Sequence, residues 1–166
     1  MIPARRRRRG KIHICLEEIK LINLLTGLKG SGKTKHLISL AHEAVKASKG
    51  HVVCVEKGDT LTYDVDHKAR LINIEDYGIR GYEALYGFIC GMCACNYDIT
   101  DMLIDSTLKI GDPESYKGSP KNIPALVAFL KRIAPLSEQT GITFTFLISA
   151  DGSELPAELD EIAQRI

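Results

Sequence analysis

Two periods alternate along the chain: short apolar runs of strand length, and longer stretches in which apolar residues recur every three or four positions. The strand-like runs are Ile19 to Thr26, His51 to Glu56, Ala69 to Ile74, Asp101 to Asp105 and Ile142 to Ser149. Between them, Lys35 to Ser48 places Leu37, Leu40, Ala41, Ala44 and Val45 on one helical face, and Gly81 to Cys95 and Pro124 to Ser137 also read as helices. Pro156 to Ile166 has the pattern of a terminal amphipathic helix. A polar stretch, Lys57 to Lys68, and the segment Gly111 to Pro124, with three prolines and two glycines, read as loops. Strands alternating with helices predict an α/β protein with a mainly parallel sheet in a three-layer α/β/α arrangement. Right-handed crossovers then gather the C-terminal strand ends at one edge, where such folds bind ligands. Thr26, Glu56, Asp105, and Ser149 with Asp151 stand at those ends.

At 166 residues the chain has the length of one domain, expected over residues 19–166 behind a leader of residues 1–18. The formal charge of +1 conceals an asymmetry: the leader holds Arg5 to Arg9 and Lys11 against Glu17 and Glu18, so the remainder is net negative. The leader is expected to be disordered, and nucleic acid is not an expected partner except through it. No apolar run is long enough to span a membrane, and none behind the arginines makes a signal peptide. Five cysteines without an export signal are expected as reduced thiols in a cytoplasm. Cys90, Cys93 and Cys95 lack a second ligand group, so with Gly87, Gly91 and Ala94 they read as small residues packing a helix closely on the sheet.

The first strand runs into Gly27-Leu28-Lys29-Gly30-Ser31-Gly32-Lys33-Thr34, which fits G-x-x-x-x-G-K-[ST] and opens a helix. Glycines let such a loop turn its N–H groups toward phosphate oxygens, and the helix adds the positive end of its dipole. In that pattern Gly27, Gly30, Ser31, Gly32, Lys33 and Thr34 bind the nucleotide, Lys33 reaches the β- and γ-phosphates, and the Thr34 hydroxyl ligates Mg²⁺. Met102-Leu103-Ile104-Asp105 follows 72 residues after Lys33 as an apolar strand ending in a carboxylate, the form of a Walker B motif, with Asp105 on the metal.

Asp105-Ser106, coming after that loop, resembles the Walker B ending of RecA-like P-loop NTPases, and the resemblance covers most of residues 19–151. It implies a catalytic carboxylate at the end of the strand after the first helix, the place held by Glu56, and a sensor at the tip of a later strand, the place held by Ser149. Gly30-Ser31-Gly32-Lys33-Thr34, Val53-Cys54-Val55-Glu56-Lys57-Gly58, Tyr77-Gly78 and Asp98-Ile99-Thr100-Asp101 are similar to parts of small bacterial P-loop ATP-binding proteins often labelled twitching motility protein PilT. The acidic and histidine boxes and the Gly-Glu Walker B of pilus-retraction ATPases are not visible here, so the resemblance implies ATP binding and not motility.

The expected activity is Mg²⁺-dependent hydrolysis of ATP or another NTP, with Lys33 and Glu56 as the catalytic pair. Two alternatives stand beside it. One is a nucleotide-sensing regulatory module with little turnover, working through a protein partner or as a homo-oligomer. The other is a thymidine-kinase-like small-molecule kinase, which Ser106 and the incomplete cysteine set argue against. Deleting residues 1–18 is expected to leave the melting curve and nucleotide binding unchanged. Any nucleic-acid affinity supplied by the arginines should weaken steeply with added salt, as a filter-binding titration would read.

Overall fold

The computed structural model describes residues 20–59, 61, 64–114 and 120–166; the basic leader and residues 115–119 of the segment read as a loop lie outside them. Its strands are β1 (Ile22–Thr26), β2 (His51–Glu56), β3 (Arg70–Asn73), β4 (Ile99–Ile104), β5 (Thr143–Ile148) and β6 (Gln164–Arg165). Its helices are α1 (Lys33–Ala47), α2 (Tyr82–Cys95), α3 (Thr107–Gly111) and α4 (Ile123–Thr140). The strands form one sheet in the order β3-β2-β4-β5-β1-β6, and every pairing is parallel. The fold is α/β, compatible with three layers. No helix among the described residues is long and apolar enough to cross a membrane.

Alternation along each strand divides the core in two. Val53 and Val55 of β2, Met102 and Ile104 of β4, and Phe144, Phe146 and Ile148 of β5 face α2 and α4 in the larger cluster. There Phe129 meets Phe146 edge-on at 5.6 Å, and Tyr82 lies 5.2 Å from Phe129. Val52 and Cys54, Leu103, Leu147 and Leu25 take the opposite face, against Leu37 and Ala41 of α1 and Leu61 of the following loop. Strands buried on both sides explain why β2 reads as an unbroken apolar run.

Three expectations need correction. Pro156 to Ile166 is not a helix: a 3₁₀ turn, Ala157–Glu161, leads into β6, which pairs in parallel with β1. Leu159, Ile162 and Ala163 supply the amphipathic pattern while still packing on the core. The reason the chain extends is the open edge of β1, whose Leu24 carbonyl accepts from the Ile166 N–H at 3.1 Å. Arg165 fixes the turn, its Nε donating to Asp160 at 2.7 Å and its guanidinium to the Leu155 carbonyl at 3.2 Å. Second, Gly111 does not begin a loop but closes α3, and α4 begins at Ile123, one residue before the expected start, capped by Asn122 accepting from the Ala125 N–H. Third, Gly87, Gly91 and Ala94 lie on the exposed side of α2; Leu85, Ile89 and Cys93 make the packed face.

The α3 helix is pinned from below. Thr107, Leu108 and Ile110 are buried, and a Cβ on Gly111 would stand 2.0 Å from Cε1 of the buried Tyr82 ring. Gly111→Ala is therefore expected to cost about 1–3 kcal/mol of stability through overpacking, measured as a lower urea midpoint. An unchanged midpoint would show that the ring gives way.

Candidate functional site

The sequence around α1 breaks the usual rules of helix initiation. Its N-cap is Gly32 in the left-handed region (φ 84°), no side chain caps it, and its first turn holds no acidic residue. Lys33 and Lys35 stand in that turn instead, where a cation opposes the helix dipole by about 0.3–1 kcal/mol. Uncapped N–H groups together with two ammonium groups at one helix start are an anion-binding arrangement.

The loop before α1 is folded on itself. Gly27, at φ 151°, donates its N–H to the Ala150 carbonyl at 2.9 Å, and a Cβ there would stand 2.7 Å from Ser31 Oγ. The Lys33 ammonium donates to the Leu28 carbonyl at 2.5 Å and to Ser31 Oγ at 3.3 Å. Burial lowers the pKa of Lys33, and Asp105 works in the opposite direction.

Between this loop and α3 runs a cleft of about 430 Å³ lined by Lys29, Gly30, Gly32, Lys33, Thr34, Lys35, Asp105, Ser106, Lys109, Leu147 and Ser149. It thus joins Gly30, Gly32, Lys33, Thr34, Asp105 and Ser149 of the expected site, while Gly27 and Ser31 shape the loop behind it. Asp105 is buried, with Oδ1 accepting from the Ser106 N–H at 2.7 Å. Ser106 makes the turn into α3 at φ 57°, the only non-glycine residue at positive φ among those described. Burial raises the Asp105 pKa, against the lowering effects of the Ser106 N–H, Lys109 and Lys33.

Glu56 sits elsewhere. By strand parity it continues the α1 face of Cys54, as Asp105 continues that of Leu103. Its carboxylate is buried, Oε2 accepts from the Leu61 N–H at 2.8 Å, and it does not line the cleft. Asp151 is also diverted: it forms a capping box with Glu154 and accepts from the Ser153 hydroxyl and N–H, bonds that hold its carboxyl below the usual range.

Among the described residues no group of three or more His, Cys, Asp or Glu side chains is placed to hold a metal alone. Thr34 and Asp105 nevertheless share the cleft as hard oxygen donors, the set that takes Mg²⁺ when a phosphate ligand and water complete its shell. Ser106 and Lys109 were not anticipated as site residues. Lys109 lies four residues beyond Asp105, so placing a helix directly after that strand would have pointed to it.

No protein-family model matches the chain, and no curated protein matches its sequence at a significant level.

The Asp105 shift has a measurable consequence. A carboxyl whose folded pKa is raised favours the folded state below its unfolded pKa, and that contribution is lost as pH rises through the folded value. Asp105→Asn keeps an acceptor for the Ser106 N–H and removes the buried charge. Without added ligand it is expected to melt above the unsubstituted protein at pH 7, with the gap closing toward pH 4. A lower melting temperature at pH 7 would contradict the burial argument.

Proposed function

We propose that this chain is an ATP-binding P-loop protein of the RecA-like type and a Mg²⁺-dependent ATPase. The observation that carries the proposal is the shared cleft, in which Gly30, Gly32, Lys33 and Thr34 meet Asp105 and Ser149 from two other strand ends. Uncapped N–H groups at the start of α1 suit phosphate oxygens, and the neighbouring lysines offset their charge. Lys33 exchanges the Leu28 carbonyl for the β- and γ-phosphates. Thr34 and Asp105 would hold the metal, which when bound would neutralise charge on the phosphate oxygens. Glu56 leaves the Leu61 N–H to orient a water and take its proton. The water oxygen bonds to the γ-phosphorus as the bond to the β–γ bridging oxygen breaks, releasing ADP and phosphate. Ser149, just past the end of β5, which lies between β1 and β4, lines the same cleft and would serve as the sensor of the bound nucleotide.

One observation favours a second reading. The Glu56 carboxylate is engaged with the Leu61 N–H outside the cleft wall, which suits a structural role for it and a nucleotide-sensing module with little turnover.

Two measurements test both. MgATP at about 100 times its Kd should stabilise the protein by roughly 2.7 kcal/mol, a rise of about 5–10 °C in melting temperature, and Lys33→Ala should abolish the rise. No shift in the unsubstituted protein at millimolar nucleotide would end the nucleotide-binding proposal. Glu56→Gln should keep the nucleotide affinity and lower phosphate release by about 10²–10⁴. Equal release from the two proteins would assign Glu56 to structure, and no release from either would favour the sensing module.

A further inference from the structure

We propose that Lys109 is a second phosphate-contacting cation of this site, supplied in cis by the helix behind Asp105 and directed at the terminal phosphate of a nucleoside triphosphate. The inference rests on the nucleotide-binding reading and adds to it a residue that sets the preference for triphosphate over diphosphate.

The cleft has two walls. The loop and the start of α1 form one, with Lys29, Lys33 and Lys35; Asp105, Ser106 and Lys109 form the other. Lys29 and Lys35 are exposed, where solvent screens them, whereas Lys33 is buried and Lys109 half-buried. These last two flank the buried Asp105 carboxylate, and both act on it electrostatically. Four lysines and one carboxylate line the cleft, which makes its lining net positive. A metal-bound triphosphate, still negative, restores the balance; a diphosphate carries less charge and ends closer to α1.

The backbone beneath Lys109 is fixed. Thr107, Leu108 and Ile110 are buried on either side of it, Gly111 abuts the Tyr82 ring, and the Lys109 carbonyl accepts from the Lys57 ammonium at 3.1 Å. The Lys109 side chain is therefore carried on a rigid support, so contact with a ligand costs side-chain ordering without main-chain ordering. Opposite walls would divide the phosphates by position: the N–H groups of the loop and α1 suit the inner ones, which leaves the outermost to the wall that carries Asp105 and Lys109.

The test is isothermal titration of the full chain with MgADP and with a non-hydrolysable MgATP analogue, using the unsubstituted protein, Lys109→Met and Lys109→Arg. Lys109→Met keeps the apolar stem, and ligand-free melting curves establish that each variant folds. A charge-assisted phosphate contact predicts about tenfold or more weakening of the triphosphate analogue in Lys109→Met, less than about threefold for MgADP, and partial recovery in Lys109→Arg. An unchanged ratio of the two affinities in Lys109→Met, with both nucleotides still bound, would overturn the role of Lys109 while leaving nucleotide binding intact. Equal weakening of both would assign Lys109 to general electrostatics and also overturn the proposal. Failure of the unsubstituted protein to bind either nucleotide would remove the site itself and Lys109 with it.

Discussion

Six strands that all run the same way impose one constraint from which the rest of this molecule follows. Each strand must be re-entered from the far edge, so every C-terminal end finishes on the same side and every connection has to cross a face of the sheet. The crossings supply the helices that bury both faces, and the common edge collects Thr26, Glu56, Ile104 and Ile148 with the residues that come next. Because β5 lies between β1 and β4, the loop after β1 and the carboxylate after β4 do not touch as neighbours but face each other across the end of an intervening strand. That spacing is what opens a cleft with Leu147 and Ser149 at its base.

The charges along that cleft oppose local stability. A glycine N-cap, lysines in the first turn of α1, a buried Asp105 and a serine at positive φ each cost the free protein something, and all four cluster at one edge. Elsewhere Asn122 caps α4, Gly141 at φ 72° ends it, and Asp151 with Glu154 makes a capping box, although α2 also starts at an uncapped glycine, Gly81. Four such departures gathered at one strand edge fit a site shaped for a ligand.

Much of this was legible in the sequence where the signal was local. His51 to Glu56 forms a strand with the expected bounds because five of its six residues are buried and no turn residue interrupts them. The cleft residues after β1 and β4 were legible because a strand end and a helix start fix the direction of the chain. What was not legible depended on distant partners. The extension at Gln164–Arg165 is dictated by the open side of β1, more than a hundred residues earlier, and not by the helical period of Leu159, Ile162 and Ala163. The α3 helix was hidden because a five-residue helix shows barely one turn of period, and Lys109 was hidden with it. For Glu56 the strand parity was readable, but its bond to the Leu61 N–H belongs to a loop whose path no pattern fixes.

The bond from the Lys33 ammonium to the Leu28 carbonyl makes the loop a latch as well as a cradle. The same carbonyl also accepts from the Ser31 N–H at 3.2 Å, so one oxygen ties both the side chain and the backbone of the loop. A ligand that draws the ammonium away trades one partner for another instead of adding a bond, which keeps the net gain from Lys33 modest. Among the described residues it also leaves the Ser31 N–H as the remaining donor to that oxygen, on a residue, Leu28, that is 57% exposed. The loop would then carry the record of occupancy outward: hydrogen exchange at the Ser31 amide, and the surroundings of the Leu28 side chain, change with the fate of a lysine several residues away.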